Sequence, residues 1–80
     1  MSEILLFGVT REIIGSATLK LSEAEYPKNV EELRELLLVR YPELKAIASL
    51  KVAVNNDFAE DHTVIRPTDE VALIPPVSGG

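Results

Sequence analysis

The sequence contains no cysteine. That absence removes disulfides, thiolate nucleophiles and thiolate metal sites together, and it fits a reducing compartment. Basic residues are scarce: 8 Lys and Arg stand against 13 Asp and Glu, for a formal net charge of -5. Nucleic-acid affinity rests largely on neutralising phosphates with cations, so neither DNA nor RNA is an expected partner. Glycine is also rare. Gly8, Gly15, Gly79 and Gly80 form no phosphate-cradling loop followed by Lys, so the chain carries no motif for binding ATP itself. No apolar stretch approaches the roughly 20 residues that a bilayer-crossing helix needs, and no charged leader precedes an apolar run of signal-peptide length. A cytoplasmic protein without membrane contact is the expectation. With 80 residues the chain makes one domain with a modest core and no room for a deep enclosed pocket, so function should lie on its surface or at an end. Its 46% hydrophobic and 26% charged residues are those of a chain that folds unaided.

Ile4 to Val9 is a nearly continuous apolar run, which in a strand implies contact on both faces, so a central strand is expected there. Ala17 to Leu21 alternates, with Thr18 and Lys20 between Ala17, Leu19 and Leu21, after a break at Gly15 and Ser16. The two runs can pair as a hairpin with a long connection. After Pro27, Asn29 is followed three positions later by Glu32, the form of a capping box, and a helix should begin there. Val30, Leu33, Leu37 and Tyr41 recur at spacings of three and four, while Glu31, Arg34, Glu35 and Arg40 fall largely elsewhere on the wheel. One face is therefore built to lie on a sheet. Pro42 ends the helix near Arg40 or Tyr41. Lys51 to Val54 reads as a third strand, Asn55 and Asn56 as a tight turn, and the residues around Phe58 as a short paired piece. Arg66 to Asp69 is a turn signal and Glu70 to Ile74 a last strand. The expected order is strand, strand, helix, strand, strand.

The most specific stretch is Pro75, Pro76, Val77, Ser78, Gly79 and Gly80. Two prolines stop the last strand and hold the chain extended, and the tail then loses all bulk. At full extension six residues reach roughly 20 Å, enough to enter a partner's cleft. Glycine at both final positions removes every Cβ, so a terminal carbonyl can pass a narrow channel. We expect a division into a domain, 1–74, and an extended reactive tail, 75–80, with Gly80 as the reacting residue.

With these features the chain resembles the small subunits of molybdopterin synthase, in the family of ubiquitin-like sulfur carriers, over nearly its whole length. The likeness is carried by Leu6-Phe7-Gly8 followed by Arg11-Glu12 and Gly15, by Val54-Asn55, by Asp69-Glu70-Val71-Ala72, and above all by the ending Pro75-Pro76-Val77-Ser78-Gly79-Gly80. The resemblance implies an α+β, ubiquitin-like β-grasp fold with a mixed sheet packed on one main helix. It further implies that an E1-like, ATP-using enzyme adenylates the Gly80 carboxylate and that a sulfur donor converts the acyl adenylate to a thiocarboxylate. The large synthase subunit then uses that sulfur on cyclic pyranopterin monophosphate. On this reading the chain binds no cofactor or metal, is not catalytic alone and works as a recycled reagent. The sulfur carrier of thiamine thiazole synthesis shares the implied fold and the terminal glycines, but usually lacks the Arg-Glu and Pro-Pro features.

Period-two geometry sends Ile4 and Leu6 to one side of the first strand and Leu5, Phe7 and Val9 to the other. Only one side can face the single helix. If Val71 and Leu73 join that core, Ala72 and Ile74 lie with Phe7 on the opposite face, near Phe58, and form a docking patch beside the tail. The alternative is that Phe58 and the loops close over this face as a second small core. The resemblance also places Arg11 and Glu12 near the partner, where a guanidinium can anchor a carboxylate or carbonyl, although an ordinary solvated pair fits the sequence equally. Glu60, Asp61 and His62 read as a polar loop, because three adjacent residues do not converge on one point. Three functions stay open: sulfur-carrying subunit, ubiquitin-like modifier of lysines, and β-grasp interaction module with an inert tail.

Overall fold

The computed structural model describes residues 2–47 and 50–75. Alternation settles the first strand, β1 (Ser2–Leu6): Ile4 and Leu6 are buried while Glu3 is exposed and Leu5 half-buried. The strand stops three residues earlier than the apolar run does. At Gly8 the backbone takes φ 57°, and Val9–Ile14 then forms a short helix, α1, in what the sequence pattern suggested was strand and connection. Thr10 explains the break. Its hydroxyl donates to the Phe7 carbonyl (2.5 Å) and accepts from the Phe7 amide (3.0 Å), so these groups are bonded locally instead of to a neighbouring strand. Gly15, in the left-handed region at φ 84°, closes α1 by donating to the Arg11 carbonyl.

β2 (Thr18–Leu21) pairs antiparallel with β1, setting Ser2 opposite Leu21 and Leu5 opposite Thr18. A 3-10 turn (Glu23–Glu25) leads toward the main helix, α2 (Val30–Arg40). Asn29 caps it, accepting from the Glu32 amide at 2.8 Å as expected, but Glu32 reaches back to the Lys28 amide rather than to that of Asn29. Val30, Leu33 and Leu37 are buried and Tyr41 is half-buried, as the helical spacing requires. A second 3-10 turn (Pro42–Ala46) follows and buries Leu44.

β3 (Lys51–Val54) and β4 (Asp57–Ala59) form a hairpin through Asn55 and Asn56, whose φ values of 52° and 73° are those of a two-residue turn matched to strand twist. β5 (Val71–Ile74) starts one residue later than expected. It lies between β1 and β3, parallel to the first and antiparallel to the second. The sheet order is β2-β1-β5-β3-β4. Chain-terminal strands side by side and parallel, with α2 on one face, make the α+β, ubiquitin-like β-grasp fold.

The core lies between that face and α2, where Ile4, Leu6, Val52, Val71 and Leu73 meet Leu33 and Leu37. Each such side chain contributes about 1.5–3 kcal/mol by leaving water. The segment before β5 covers the start of α2. Carbonyls of Thr63 and Asp61 accept the amides of Val30 and Glu31, donors that an α-helix leaves unsatisfied at its N-terminus. Arg34 pairs with Asp61 at 3.0 Å across the same junction. The Glu60-Asp61-His62 loop thus has a structural task in holding the helix, with an exposed Glu60–His62 contact of 3.5 Å beside it.

Candidate functional site

The sheet face opposite α2 carries no helix among the described residues, and register determines what it displays. Leu5 stands beside Ala72, Ala72 beside Ala53, and Ala53 beside Phe58, one row across four strands. The next row holds Ile74 beside Lys51, with Phe7 just beyond the end of β1. Small residues in the middle and aromatic rings at the sides leave a shallow hollow lined by Phe7, Ala53, Asn56, Phe58 and Ile74.

This is the patch that the sequence placed on the outer face. Phe7, Phe58 and Ile74 come together there, while Val9 leaves it by entering α1. Phe58 is 69% exposed and Phe7 46%, so the face stays open and the alternative of a second closed core is set aside. Apolar surface held open in this way is the kind that a partner covers. Arg11 does not line the hollow. It is exposed on α1 and borders a separate depression with Gly8, Glu12, Gly15, Ser16 and Ala17.

Four contributors were not picked out from the sequence. Thr10 fixes the backbone of Phe7 through the two hydrogen bonds already described, and a Thr three residues after Phe7 was the available signal. Ala53 and Asn56 follow from folding the hairpin about Asn55-Asn56, which puts residue 53 against residue 58. Lys51 sits at the edge with its Nζ 5.8 Å from the centroid of the Phe58 ring, a cation over an aromatic face. Its place beside Ile74 depends on the β3–β5 register, a long-range pairing that no local pattern reveals.

Of the expected tail, Pro75 is described and half-buried against Gly8. Pro76, Val77, Ser78, Gly79 and Gly80 lie outside the described residues. Among the described residues no group of three His, Cys, Asp or Glu side chains gathers into a metal-binding set, and no helix is long and apolar enough to cross a membrane.

Both the sequence and the β-grasp fold are matched in known proteins. The sequence fits the ThiS family over residues 4–80. The chain belongs to the ThiS family. Among the relatives of this ThiS family chain is the molybdopterin synthase sulfur carrier subunit of Arabidopsis thaliana, 35% identical over 79 residues, which cover 98% of this chain and 81% of that one. The protein of the same name from Mycobacterium tuberculosis is 35% identical over 78 residues, covering 96% and 94%. In solved structures the fold recurs in the small archaeal modifier protein 1 of Methanosarcina acetivorans, with TM-score 0.78, 26% identity and coverage of 99% and 95%. It recurs again in the complex of subunits 1 and 2 of molybdopterin-converting factor from Helicobacter pylori, with TM-score 0.65, 25% identity and coverage of 99% and 97%.

Proposed function

We propose that this ThiS family chain is the sulfur carrier of a molybdopterin synthase, with a domain, 1–74, that docks and a tail, 75–80, that reacts at Gly80. One observation carries the reading: relatives that share the name of sulfur carrier subunit align over 96% and 98% of the chain, and the family match itself extends through the Gly79-Gly80 pair.

The chemistry follows from what a carboxylate lacks. A free carboxylate is a poor acyl donor. An E1-like partner joins it to the α-phosphorus of ATP, releasing pyrophosphate, and the resulting acyl adenylate has a good leaving group. A hydrosulfide-level sulfur nucleophile then attacks the carbonyl carbon, AMP departs with the bonding electron pair, and loss of the thioacid proton leaves a thiocarboxylate on Gly80. A persulfide donor requires in addition a thiol that reduces the acyl disulfide and takes up the donor's remaining sulfur. The chain has no cysteine, so the sulfur comes from a separate donor. In the large subunit the thiocarboxylate gives its sulfur to cyclic pyranopterin monophosphate, and the regenerated carboxylate returns for another round. Adenylate and thiocarboxylate are transient modifications, and ATP is used by the partner.

The outer sheet face supplies the docking. Phe7, Phe58 and Ile74 form the apolar centre, and Arg11 on α1 anchors a carboxylate or carbonyl at the margin. Absence of cysteine suits cytoplasmic work. Reconstitution tests the reading: thiocarboxylated chain, cognate large subunit and cyclic pyranopterin monophosphate should yield a dithiolene product, and no product with a competent large subunit would count against it.

The likeness to small archaeal modifier protein 1 favours a second reading, attachment of Gly80 to lysines of other chains. An isopeptide bond from Gly80, found by peptide mapping of cell extracts, would establish it. The two roles can coexist, because both start from the same acyl adenylate.

A further inference from the structure

Parallel pairing of β1 and β5 sets Leu6 beside Leu73. Two residues further along each chain come Gly8 and Pro75, so the turn into α1 lies next to the point where the C-terminal segment leaves the sheet. Gly8 has φ 57° and ψ -134°, a conformation that L side chains rarely adopt. Space demands glycine as well. A Cβ on residue 8 would lie 2.9 Å from Cγ of Pro75, whereas carbon atoms pack at about 3.5–4.0 Å. The proline ring occupies the volume that any other side chain at position 8 would need.

The seat is rigidly held. Phe7, just before it, is tied at both its amide and its carbonyl to Thr10, which is fully buried. Just after it, the Arg11 amide donates to the Gly8 carbonyl at 3.1 Å. On the tail side, Ile74 is fixed by pairing with Lys51. The ring of Pro75 therefore meets backbone that is fixed on both flanks, and its own φ is restricted by the pyrrolidine.

We infer that Gly8 and Pro75 form a matched pair of positioning residues, the ring seated on bare backbone so that the chain direction at Pro75, where the tail begins, is fixed. The inference rests on the sulfur-carrier reading, since only a reacting terminus needs its departure aimed. A partner that grips the outer face then receives Gly80 at a defined place. Loss of the seat leaves docking intact and lets the terminus approach from wrong directions, so the defect falls on kcat rather than on KM.

Adenylation of the full chain by its cognate activating enzyme, with the carrier as the varied substrate, tests the pair. Pro75→Ala should unfold at the wild-type temperature, keep KM within about twofold and lose about tenfold or more in kcat. Gly8→Ala should show the same kcat defect. The double variant should lose less than the product of the two single losses, because the added methyl no longer meets a ring, while the strain of an L side chain at φ 57° stays. A Pro75→Ala enzyme with wild-type kcat, or with KM raised and kcat unchanged, would overturn the inference, as would losses that multiply in the double variant. Should Gly8→Ala not fold, the kcat and KM of Pro75→Ala decide alone. Wild-type chain that is never adenylated by a competent enzyme would sink the carrier reading and this inference with it, whereas normal wild-type turnover with unaffected variants would sink only the inference.

Discussion

Asn55 and Asp69 tie two turns together: Asn55 Nδ2 donates to Asp69 Oδ1 at 3.1 Å, and Asn55 Oδ1 accepts the amide of Glu70 at 2.9 Å. The other carboxylate oxygen of Asp69 accepts the Arg66 amide at 2.9 Å. The β3–β4 turn is thus joined to the turn that launches β5, the strand from which the tail departs.

These hydrogen bonds favour the ionised form, so the side-chain bond from Asn55 first, and the backbone bond from Arg66 second, hold the Asp69 carboxyl below its ordinary range. A depressed folded pKa contributes stability above the unfolded value, about pH 4, and that contribution disappears as pH falls through the folded value. Asp69→Asn should therefore be less stable than wild type at neutral pH, and the gap should narrow on acidification. Urea midpoints of both proteins across the carboxylate range measure it, and a gap that stays constant with pH would rule the linkage out.

Tyr26 shows the opposite sign. Its hydroxyl is buried without a hydrogen-bond partner among the described residues, and burial first, then the nearby Asp69 charge, raises its pKa. A raised folded pKa gives stability that is complete below the unfolded value, about pH 10, and is lost as pH rises through the folded one. Tyr26→Phe should remove that part of the alkaline loss. At neutral pH the change should be about 1 kcal/mol or less, in the stabilising direction, because an unsatisfied polar group is removed. Thermal unfolding at neutral and alkaline pH compares the two, and an equal alkaline loss in both proteins would contradict it.

Phe7→Glu should keep the fold and lose the partner. The ring is 46% exposed and its backbone is held by Thr10, so the substitution leaves the core between sheet and α2 untouched. We expect thermal unfolding close to wild type and binding of the cognate large subunit weakened by about 2 kcal/mol or more, as for an aromatic anchor near an interface centre. Phe58→Glu should behave similarly. Unchanged affinity by calorimetry would remove the outer face from the docking surface.

Much of this was legible from local chemistry. The helical spacing of Val30, Leu33 and Leu37, the Asn29 cap, the Asn55-Asn56 turn and the alternation of β1 each depend on neighbours within a few residues. The outer face followed from the same alternation once one helix had to serve two sheet faces. α1 was missed because Ile4 to Val9 is apolar throughout, and a short apolar run does not separate strand from helix. What ended the strand was Gly8 against Pro75 and Thr10 against Phe7, the first of them a contact across most of the chain. Lys51 beside Ile74 and the carbonyls over the start of α2 were hidden for the same reason: they are products of topology, not of spacing.

The sulfur-carrier claim is tested most directly by mass spectrometry of the peptide released by cleavage after Glu70, following incubation of the chain with its activating enzyme, ATP and a sulfur donor. That peptide contains no methionine, so oxidation there cannot imitate sulfur. We expect one oxygen replaced by sulfur at Gly80, dependent on ATP. An unchanged Gly80 carboxylate, with the enzyme and donor proven on a known carrier, would contradict the proposal and leave a β-grasp module that binds through its outer face alone.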